Sequence, residues 1–282
     1  EDDDDWDDFT PSVTLSDSTD ESSLDSLLVY ATWSKGFKAG GFSRLDEDFL
    51  SFDPETVTNY EVGVKLDGLD RRLRLNLALY YMEYDDMQVT VTRQLDDIRV
   101  GFGVANAGQA TMSGAEIELN YLPNEHWLFS LSADYIDAEY DEFDDLALNP
   151  ETGLYEPIDR SNEDFGYVPE TTLSASGQYN LDTDVGLFSA RLAYFYKDEV
   201  FIGLTGGLVD EDTAYLDDYQ LWSARLVWMS SGDHDVEVAL YCDNLTDEDY
   251  FGTGNIEFNN QGSRSLVSGI ERTYGVQASY RF

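Results

Sequence analysis

The chain has 282 residues, of which 58 are acidic and 16 are basic, so its formal net charge is −42. This charge excludes nucleic acid and anionic lipid headgroups as electrostatic partners, because phosphate would be repelled. A hydrophobic content of 42% and an aromatic content of 14% are too high for an intrinsically disordered chain, so the protein folds. Cys242 is the only cysteine, which excludes a disulfide framework and a multi-cysteine metal site.

The sequence also bounds the kind of membrane protein this could be. No stretch approaches the ~20 consecutive apolar residues of a membrane-spanning helix, which excludes a helical membrane protein. The start of the sequence, residues 1–5, lacks the basic and apolar regions of a secretory signal. A transmembrane β-barrel stays possible, because its strands alternate lipid-facing and lumen-facing residues and form no long apolar run.

Apolar and polar residues alternate along much of the chain. Within 72–81, one parity consists of Leu73, Leu75, Leu77, Leu79 and Tyr81, while the other is mostly polar. The same period recurs at 114–121, 172–181, 188–196, 222–228, 236–242 and 274–282. A period of two is typical of strands with one apolar face. We predict about eleven strands, near 9–17, 26–34, 57–67, 71–93, 98–122, 126–140, 171–181, 187–199, 219–230, 235–243 and 272–282.

The links between these strands alternate in length. Short links rich in turn-forming residues lie at 67–71, 123–125, 182–186 and 231–233. Long links lie at 35–56, 141–170, 200–218 and 244–271. Short turns on one rim and long loops on the other indicate an antiparallel transmembrane β-barrel with the long loops outside the cell. Single-chain bacterial barrels have even strand numbers, so about eleven strands predict a partial barrel whose missing part is N-terminal.

Five segments in order resemble one family. They are Tyr30–Phe42, Phe52–Lys65 with the pattern P-E-x-x-x-x-Y-E-x-G-x-K, Asn106–Glu116 with N-A-G-x-A-x-x-x-G-x-E, Asn244–Tyr250, and Arg272–Phe282. Together they resemble the second half of the barrel of TonB-dependent outer-membrane receptors. The resemblance implies the C-terminal half of a 22-stranded barrel in the bacterial outer membrane, normally filled by an N-terminal plug. We expect the chain to lack the plug, the TonB box and the signal peptide, and to be transport-incompetent by itself.

The resemblance also implies partners. They are the outer-membrane lipid, the receptor's own plug, the inner-membrane TonB complex, and the barrel assembly machinery, which would recognise Tyr280 and Phe282 at the chain end. If the polar residues of each strand point into the barrel, the residues expected to face the plug carry both signs of charge. They are Glu61, Lys65, Arg72, Arg74, Glu116, Glu118, Arg191 and Arg225. Charges away from water need partners, so we favour plug contact over a wall that merely stays solvated.

Aromatic residues cluster towards strand ends, where girdles anchor barrels at the membrane interfaces. Those expected in external segments are instead candidates for touching an imported ligand: Trp33, Phe37, Phe42, Tyr155, Phe165, Phe201 and Tyr250. We predict no catalytic residue, metal site or cofactor. The glycines at 36–41 lack the strand-to-helix context of a phosphate loop. His126 and His234 are isolated turn residues, and acidic runs such as 141–145 are more typical of solvated loops than of Ca²⁺ sites.

Three functions remain open. The leading one is TonB-dependent import of a scarce solute, with a ferric siderophore ahead of a corrinoid or a glycan fragment. A passive porin or barrel-type adhesin would show the same alternation. A soluble all-β binding or hydrolytic domain would need a second sheet packed against the apolar face of these strands. The sequence does not identify the substrate, and it does not separate ligand recognition from a saline habitat as the origin of the acidity.

Overall fold

The computed structural model describes residues 7–19, 24–45, 48–94, 100–149, 151–203, 214–231, 235–256 and 264–281. These residues form eighteen β-strands and no helix. In chain order the strands are β1 Ser12–Thr19, β2 Leu24–Lys38, β3 Gly41–Leu45, β4 Asp48–Phe52, β5 Glu55–Gly68, β6 Leu73–Gln94, β7 Val100–Tyr121, β8 Trp127–Asn149, β9 Leu154–Asp159, β10 Thr171–Thr183, β11 Gly186–Lys197, β12 Val200–Phe201, β13 Tyr215–Leu216, β14 Tyr219–Met229, β15 Asp235–Asp243, β16 Phe251–Ile256, β17 Arg264–Ser268 and β18 Thr273–Arg281. The described ranges contain no helix with the length and apolar character needed to cross a membrane.

Eleven strands form one antiparallel sheet, which we call the wall sheet. Their order is β1-β2-β5-β6-β7-β8-β10-β11-β14-β15-β18, so each wall strand pairs with the next one along the chain. β9 extends the sheet beside the distal part of β8. Within the described residues β1 and β18 each have one neighbour, so the barrel is not closed here. The predicted all-β antiparallel fold with about eleven wall strands is confirmed.

Strand register sorts the side chains onto two faces. On the apolar face, one row of direct cross-strand partners consists of Val29, Val64, Leu77, Ile117 and Ala133. On the polar face, an adjacent row consists of Lys65, Asn76, Glu118 and Ser132. Because the side-chain period is two, a slip of one residue would exchange the faces, so the alternation fixes this register.

The apolar face is open to its surroundings. Leu79 of β6, Leu226 of β14 and Leu240 of β15 lie on this face and are 48%, 54% and 48% exposed. No second layer therefore covers this face in the described part of the chain, which the soluble alternative would need. A contiguous exposed apolar surface of this size marks a lipid-facing or interaction surface.

The two rims of the wall sheet differ as predicted. On the turn rim, the links 69–72, 122–126 and 184–185 join successive strands directly. On the opposite rim, the loop rim, the links carry the hairpins β3–β4, β12–β13 and β16–β17, and β9 folds back on β8. The long links were predicted as loops, and in the structure much of their described length is strand. β6 and β7 also continue to this rim past irregularities next to Met87.

Buried apolar clusters lie in the loop-rim segments. One comprises Val89, Val91 and Phe143 from the distal parts of β6 and β8. The other comprises Val200, Phe201, Ile202, Ala214 and Leu216 around the β12–β13 hairpin, with Leu266 of β17 packed against it. The wall itself is one sheet thick, so its hydrophobic residues face outward, whereas the loop-rim segments bury small cores of their own.

Candidate functional site

Tyr30 links two predicted plug-facing residues on the polar face of the wall sheet. Its hydroxyl donates a hydrogen bond of 2.6 Å to Oε1 of Glu61. The Nζ atom of Lys65 lies 5.9 Å from the centre of the Tyr30 ring, within cation–π range. The wall thus holds a carboxylate and an ammonium group close together through one aromatic side chain.

Glu116 and Asp134 are direct cross-strand partners on β7 and β8. Like charges placed opposite each other destabilise a sheet. Neither carboxylate forms an ion pair in the structure of the described residues. The neighbouring Glu118 accepts a hydrogen bond of 2.9 Å from Nδ2 of Asn76. This part of the polar face therefore carries negative charge that the described wall does not balance.

Further round the sheet the sign of the charge reverses. Arg191 of β11 lies directly opposite Arg225 of β14. Arg191 donates to Oγ of Ser176 at 3.2 Å, and Arg225 donates to the side chain of Gln277 at 3.2 Å. Nη2 of Arg225 lies 4.0 Å from Oε1 of Glu237. The polar face thus separates an acidic patch from a basic one.

The remaining two plug-facing candidates lie at the turn rim. Arg74 forms a two-pronged ion pair with Asp67, at 2.7 and 3.2 Å. Arg72 lies in the link 69–72, where it donates to the backbone carbonyls of Leu69 and Pro123 at 2.8 and 3.3 Å. Both side chains join elements of the wall itself.

Tyrosines and glycines pair across strands on the polar face, a feature that sequence reasoning missed. Tyr30 faces Gly63, Tyr80 faces Gly114, and Tyr241 faces Gly275. In each pair the tyrosine ring occupies the space that a Cβ on the glycine would need. The available signal was a glycine at the polar parity inside an otherwise regular strand, since such glycines mark close approach of another group.

Five of the predicted ligand-contacting aromatics lie apart from one another. Trp33 lies in β2, beside Tyr60 on the apolar face. Phe37 lies at the end of β2, Phe42 in β3, Tyr155 in β9, and Tyr250 in the segment after β15. Tyr250 packs on Tyr219 with ring centres 4.4 Å apart. The structure does not gather these five side chains into one site.

Phe165 and Phe201, in contrast, meet at one place. With Tyr215 they line a cavity of about 110 Å³ on the loop rim, which we call the rim cleft. Its other lining residues are Ile136, Ala138, Asp164, Val168, Glu170, Asp198 and Glu199. Phe165 and Phe201 are both buried, and the Tyr215 hydroxyl donates a hydrogen bond of 2.7 Å to Asp164. The rim cleft combines aromatic walls with four carboxylates.

A buried ion-pair network lies beside the rim cleft. Nε of Arg160 lies 2.9 Å from Oδ2 of Asp145, and Nη1 donates to Oε1 of Glu163 at 2.6 Å. The Arg160 side chain is 1% exposed, so both partners are needed to offset its desolvation. The other carboxylate oxygen of Asp145 accepts a hydrogen bond of 2.6 Å from the backbone N–H of Thr92. Three strands, β6, β8 and β9 with its following loop, are thereby tied together.

Tyr140 connects this network to the rim cleft. Its ring stacks on Phe165 with centres 4.0 Å apart and an interplanar angle of 11°. On the apolar parity of β8 the residues beyond Tyr135 are Asp137 and Glu139, so this part of the strand lies outside the lipid-facing belt. Burial, with a smaller contribution from the charge of Glu163, raises the pKa of Tyr140 to about 12.

β18, the last strand, lies at one edge of the wall sheet. Tyr280 lies in β18 on the apolar face, opposite Val236. Phe282 lies outside the described residues. Among the described residues, no three His, Cys, Asp or Glu side chains converge in a way that could hold a metal ion.

Comparison with known proteins assigns the family. The profile of the family described as "TonB dependent receptor-like, beta-barrel" matches residues 1–245. The chain belongs to the TonB-dependent receptors. The resemblance seen in the sequence is thereby confirmed, and so is the location in the bacterial outer membrane, where this family resides. The family consists of receptors and transporters rather than enzymes.

Individual TonB-dependent receptors show the same relationship. The chain is 23% identical to the pesticin receptor of Yersinia pestis over 257 residues, 90% of this chain and 34% of that protein. It is 31% identical to the metal-pseudopaline receptor CntO of Pseudomonas aeruginosa over 119 residues, 42% of this chain and 16% of that receptor. The chain therefore spans about a third or less of these relatives.

Solved structures of TonB-dependent receptors share the fold. The ferric yersiniabactin uptake receptor FyuA of Yersinia pestis superimposes with a TM-score of 0.69 at 21% identity, covering 95% of this chain and 37% of the receptor. The siderophore receptor PiuA of Acinetobacter baumannii gives a TM-score of 0.68 at 19% identity, covering 91% and 34%. At this identity the likeness establishes the wall-sheet architecture and leaves the ligand open.

Proposed function

We propose that this chain is the C-terminal part of the barrel of a receptor that imports a large scarce nutrient with energy from the TonB complex. A ferric siderophore is the ligand we favour, ahead of a corrinoid or a glycan fragment. The names of the relatives support a metal chelate, because they include a metal-pseudopaline receptor and a siderophore receptor. On this proposal transport requires a plug and a TonB-contacting segment, and the chain does not transport by itself.

The observation that carries the proposal is the unbalanced charge of the acidic patch on the polar face. Glu116 faces Asp134 with no cationic partner in the described wall, whereas in the basic patch Arg191 faces Arg225 and Arg225 also lies 4.0 Å from Glu237. A plug domain with basic groups against the first patch and acidic groups against the second would relieve both repulsions. An open water-filled pore would gain nothing from this arrangement. Glu61, Lys65 and Glu118 border the same surface and belong to the proposed contact.

The other surfaces have roles that follow from the same proposal. The apolar face contacts outer-membrane lipid, because its half-exposed leucines would otherwise meet water. The external aromatics, Phe165 and Phe201 foremost, contact the imported ligand. Tyr280 and Phe282 form the end that the barrel assembly machinery recognises.

Uptake of a radiolabelled chelate tests the proposal. The complete receptor that carries this chain is expressed in a strain without its own siderophore receptors, with and without a functional TonB system. We expect accumulation of at least one ⁵⁵Fe-labelled catecholate or hydroxamate siderophore, abolished when TonB is deleted. Accumulation that persists without TonB would identify a passive porin. If no chelate in the panel accumulates while vitamin B12 or a glycan oligomer does, the siderophore preference is wrong.

A further inference from the structure

The last two wall strands, β15 and β18, are joined by the long link 244–272. In a hairpin with a tight turn, the turn fixes the register of the two strands, and this pair has no such turn. The side-chain period of two excludes a slip of one residue, but a slip of two keeps every side chain on its own face. The pair Tyr241–Gly275 favours the observed register from within the strands. A second set of contacts that favours it lies at the loop-rim end of the link.

Asn244, directly after β15, holds the two ends of this link together. It is 6% exposed. Its Nδ2 atom donates to the backbone carbonyls of Glu248 and Ile270, at 2.8 and 3.2 Å. Its Oδ1 atom accepts a hydrogen bond of 2.8 Å from the backbone N–H of Glu248. The buried amide thus uses both of its N–H groups and its oxygen, and one of these bonds joins the exit of β15 to the entrance of β18.

Asp247 and Tyr250 make two further connections between the same segments. The side chain of Asp247 accepts from Nη2 of Arg272 at 2.9 Å and from the backbone N–H of Arg272 at 3.3 Å. The backbone N–H of Gly269 donates to the carbonyl of Tyr250 at 2.7 Å, and the Tyr250 ring fills the space that a Cβ on Gly269 would need. We call these six residues the clasp: Asn244, Asp247, Tyr250, Gly269, Ile270 and Arg272.

The first half of the clasp is anchored on a strand that precedes it in the chain. Asn244 and Asp247 have φ values of 50° and 61°, in the left-handed region that Asn and Asp adopt more readily than most residues. The backbone N–H of Asp247 donates to the carbonyl of Asn244 at 3.0 Å, which closes a turn. The backbone N–H of Leu245 donates to the carbonyl of Trp222 in β14 at 2.7 Å. The turn therefore rests on β14, the strand that already pairs with β15, before the chain reaches β18.

The clasp joins two of the segments that resemble the family in sequence, Asn244–Tyr250 and Arg272–Phe282. Between its two halves, β16 and β17 pair with each other and, in the described residues, with no wall strand. Closing a flexible link costs conformational entropy that grows with the length of the link. Contacts at its two ends fix the entrance of β18 whatever the hairpin between them does.

We propose that the clasp sets the register of β18 on β15 while the barrel assembles. Asn244, Asp247 and Tyr250 are positioning residues, which act on β18 through its entrance segment 269–272. A slip of two residues would move this segment by about 7 Å, beyond the reach of every hydrogen bond in the clasp. The role involves neither an imported ligand nor TonB energy, so it goes beyond the proposed function, and each proposal can fail without the other.

Cysteine crosslinking in the complete receptor, newly assembled in outer membranes, tests the register. Other cysteines are removed, including Cys242 by Cys242→Ser. The pair Val238→Cys with Ala278→Cys reports the observed register, because these residues are direct cross-strand partners. The pair Val238→Cys with Tyr280→Cys reports a slip of two residues.

Two independent changes break the clasp. Asn244→Ala removes the buried amide, and Asn244→Gly removes the same hydrogen bonds while accepting the positive φ. Asn255→Ala is the matched control, because Asn255 is exposed in β16 and lies outside the clasp. Asp247→Arg places two cations together, and adding Arg272→Asp restores an ion pair of reversed polarity. The Asp247 and Arg272 side chains are 50% and 44% exposed, so this second series serves even if Asn244→Ala fails to assemble.

We expect Asn244→Ala to lower the Val238–Ala278 crosslink about threefold or more and to raise the Val238–Tyr280 crosslink, with a smaller change for Asn244→Gly and none for Asn255→Ala. Asp247→Arg should shift the crosslinks in the same direction, and Arg272→Asp should reverse that shift. Unchanged crosslinks together with faster proteolysis of the β16–β17 hairpin would overturn the inference, because the clasp would then order the loop alone. An equal change in the Asn255→Ala control would overturn it as well.

Discussion

The ring of Tyr30 lies against the Cα of Gly63 on the neighbouring strand, in the space where any other residue would place its Cβ. From this position the Tyr30 hydroxyl reaches Glu61, two residues from Gly63 on β5. The glycine therefore acts through the tyrosine: it lets the ring lie flat along the wall, and the ring orients a carboxylate of the polar face.

Replacing Gly63 should accordingly destabilise the wall. The change Gly63→Ala forces the Tyr30 ring away and breaks its hydrogen bond to Glu61, at a cost of about 1–3 kcal/mol, typical of overpacking. Thermal unfolding of the receptor in detergent, followed by its heat-dependent gel mobility, measures the loss. Gly252→Ala is the control, because nothing lies within 4 Å of a Cβ at that position. If Tyr30→Ala does not relieve the effect of Gly63→Ala in the double variant, the overlap is not its cause.

The wall could be predicted from sequence because its two faces meet different surroundings. Lipid on one side and polar material on the other force a period of two on each strand, and the period survives in every wall strand. The segment predicted at 171–181, for example, is the strand Thr171–Thr183. Register then follows, since only one pairing keeps Val64 beside Leu77 on the apolar face.

The loop rim could not be predicted in the same way. Its hairpins are short, and β12 consists only of Val200 and Phe201, too few residues to show a period. Their burial depends on packing against Ala214 and Leu216, which lie further along the chain. Phe201 was predicted as a ligand contact, and the structure adds that it belongs to a buried cluster. The Tyr–Gly pairs were missed for a related reason, because each joins two strands and becomes visible only once the register is known.

Removing Arg160 should loosen the loop rim while leaving the wall intact. The change Arg160→Met leaves Asp145 buried without a counter-charge, which costs about 3–5 kcal/mol for a buried pair. Hydrogen exchange at the Thr92 amide, which donates to Asp145, should accelerate strongly. Lys38→Met is the control, since Lys38 is 63% exposed, its pair with Glu55 is long at 3.8 Å, and the Glu55 carboxylate keeps a hydrogen bond from the backbone N–H of Gln88. Unchanged exchange at Thr92 would show that the buried pair does not hold these strands together.

The raised pKa of Tyr140 predicts a pH-dependent loss of order at the same place. The folded state holds the phenol protonated up to about 12, whereas the unfolded chain releases the proton near its ordinary value of 10.0. The unfolded state therefore binds fewer protons between these values, and this contribution to stability, complete below pH 10, declines as the pH rises towards 12. Tyr140→Phe retains the stack on Phe165 and should flatten that part of the stability profile. A profile identical to wild type between pH 9 and 12 would exclude a contribution from Tyr140.

Charge reversal on the polar face should weaken the proposed plug contact. In the complete receptor, Glu116→Lys places a cation beside Asp134 and removes the repulsion within the wall. If the wall were merely solvated, this change would stabilise the barrel or leave it unaltered. If the acidic patch holds basic groups of a plug, the same change should instead cost about 1–3 kcal/mol of plug docking. The urea concentration at which the plug becomes sensitive to protease measures this cost. Glu83→Lys, an exposed substitution of the same charge on the apolar parity of β6, serves as the control, and equal behaviour of the two variants would favour the solvated wall.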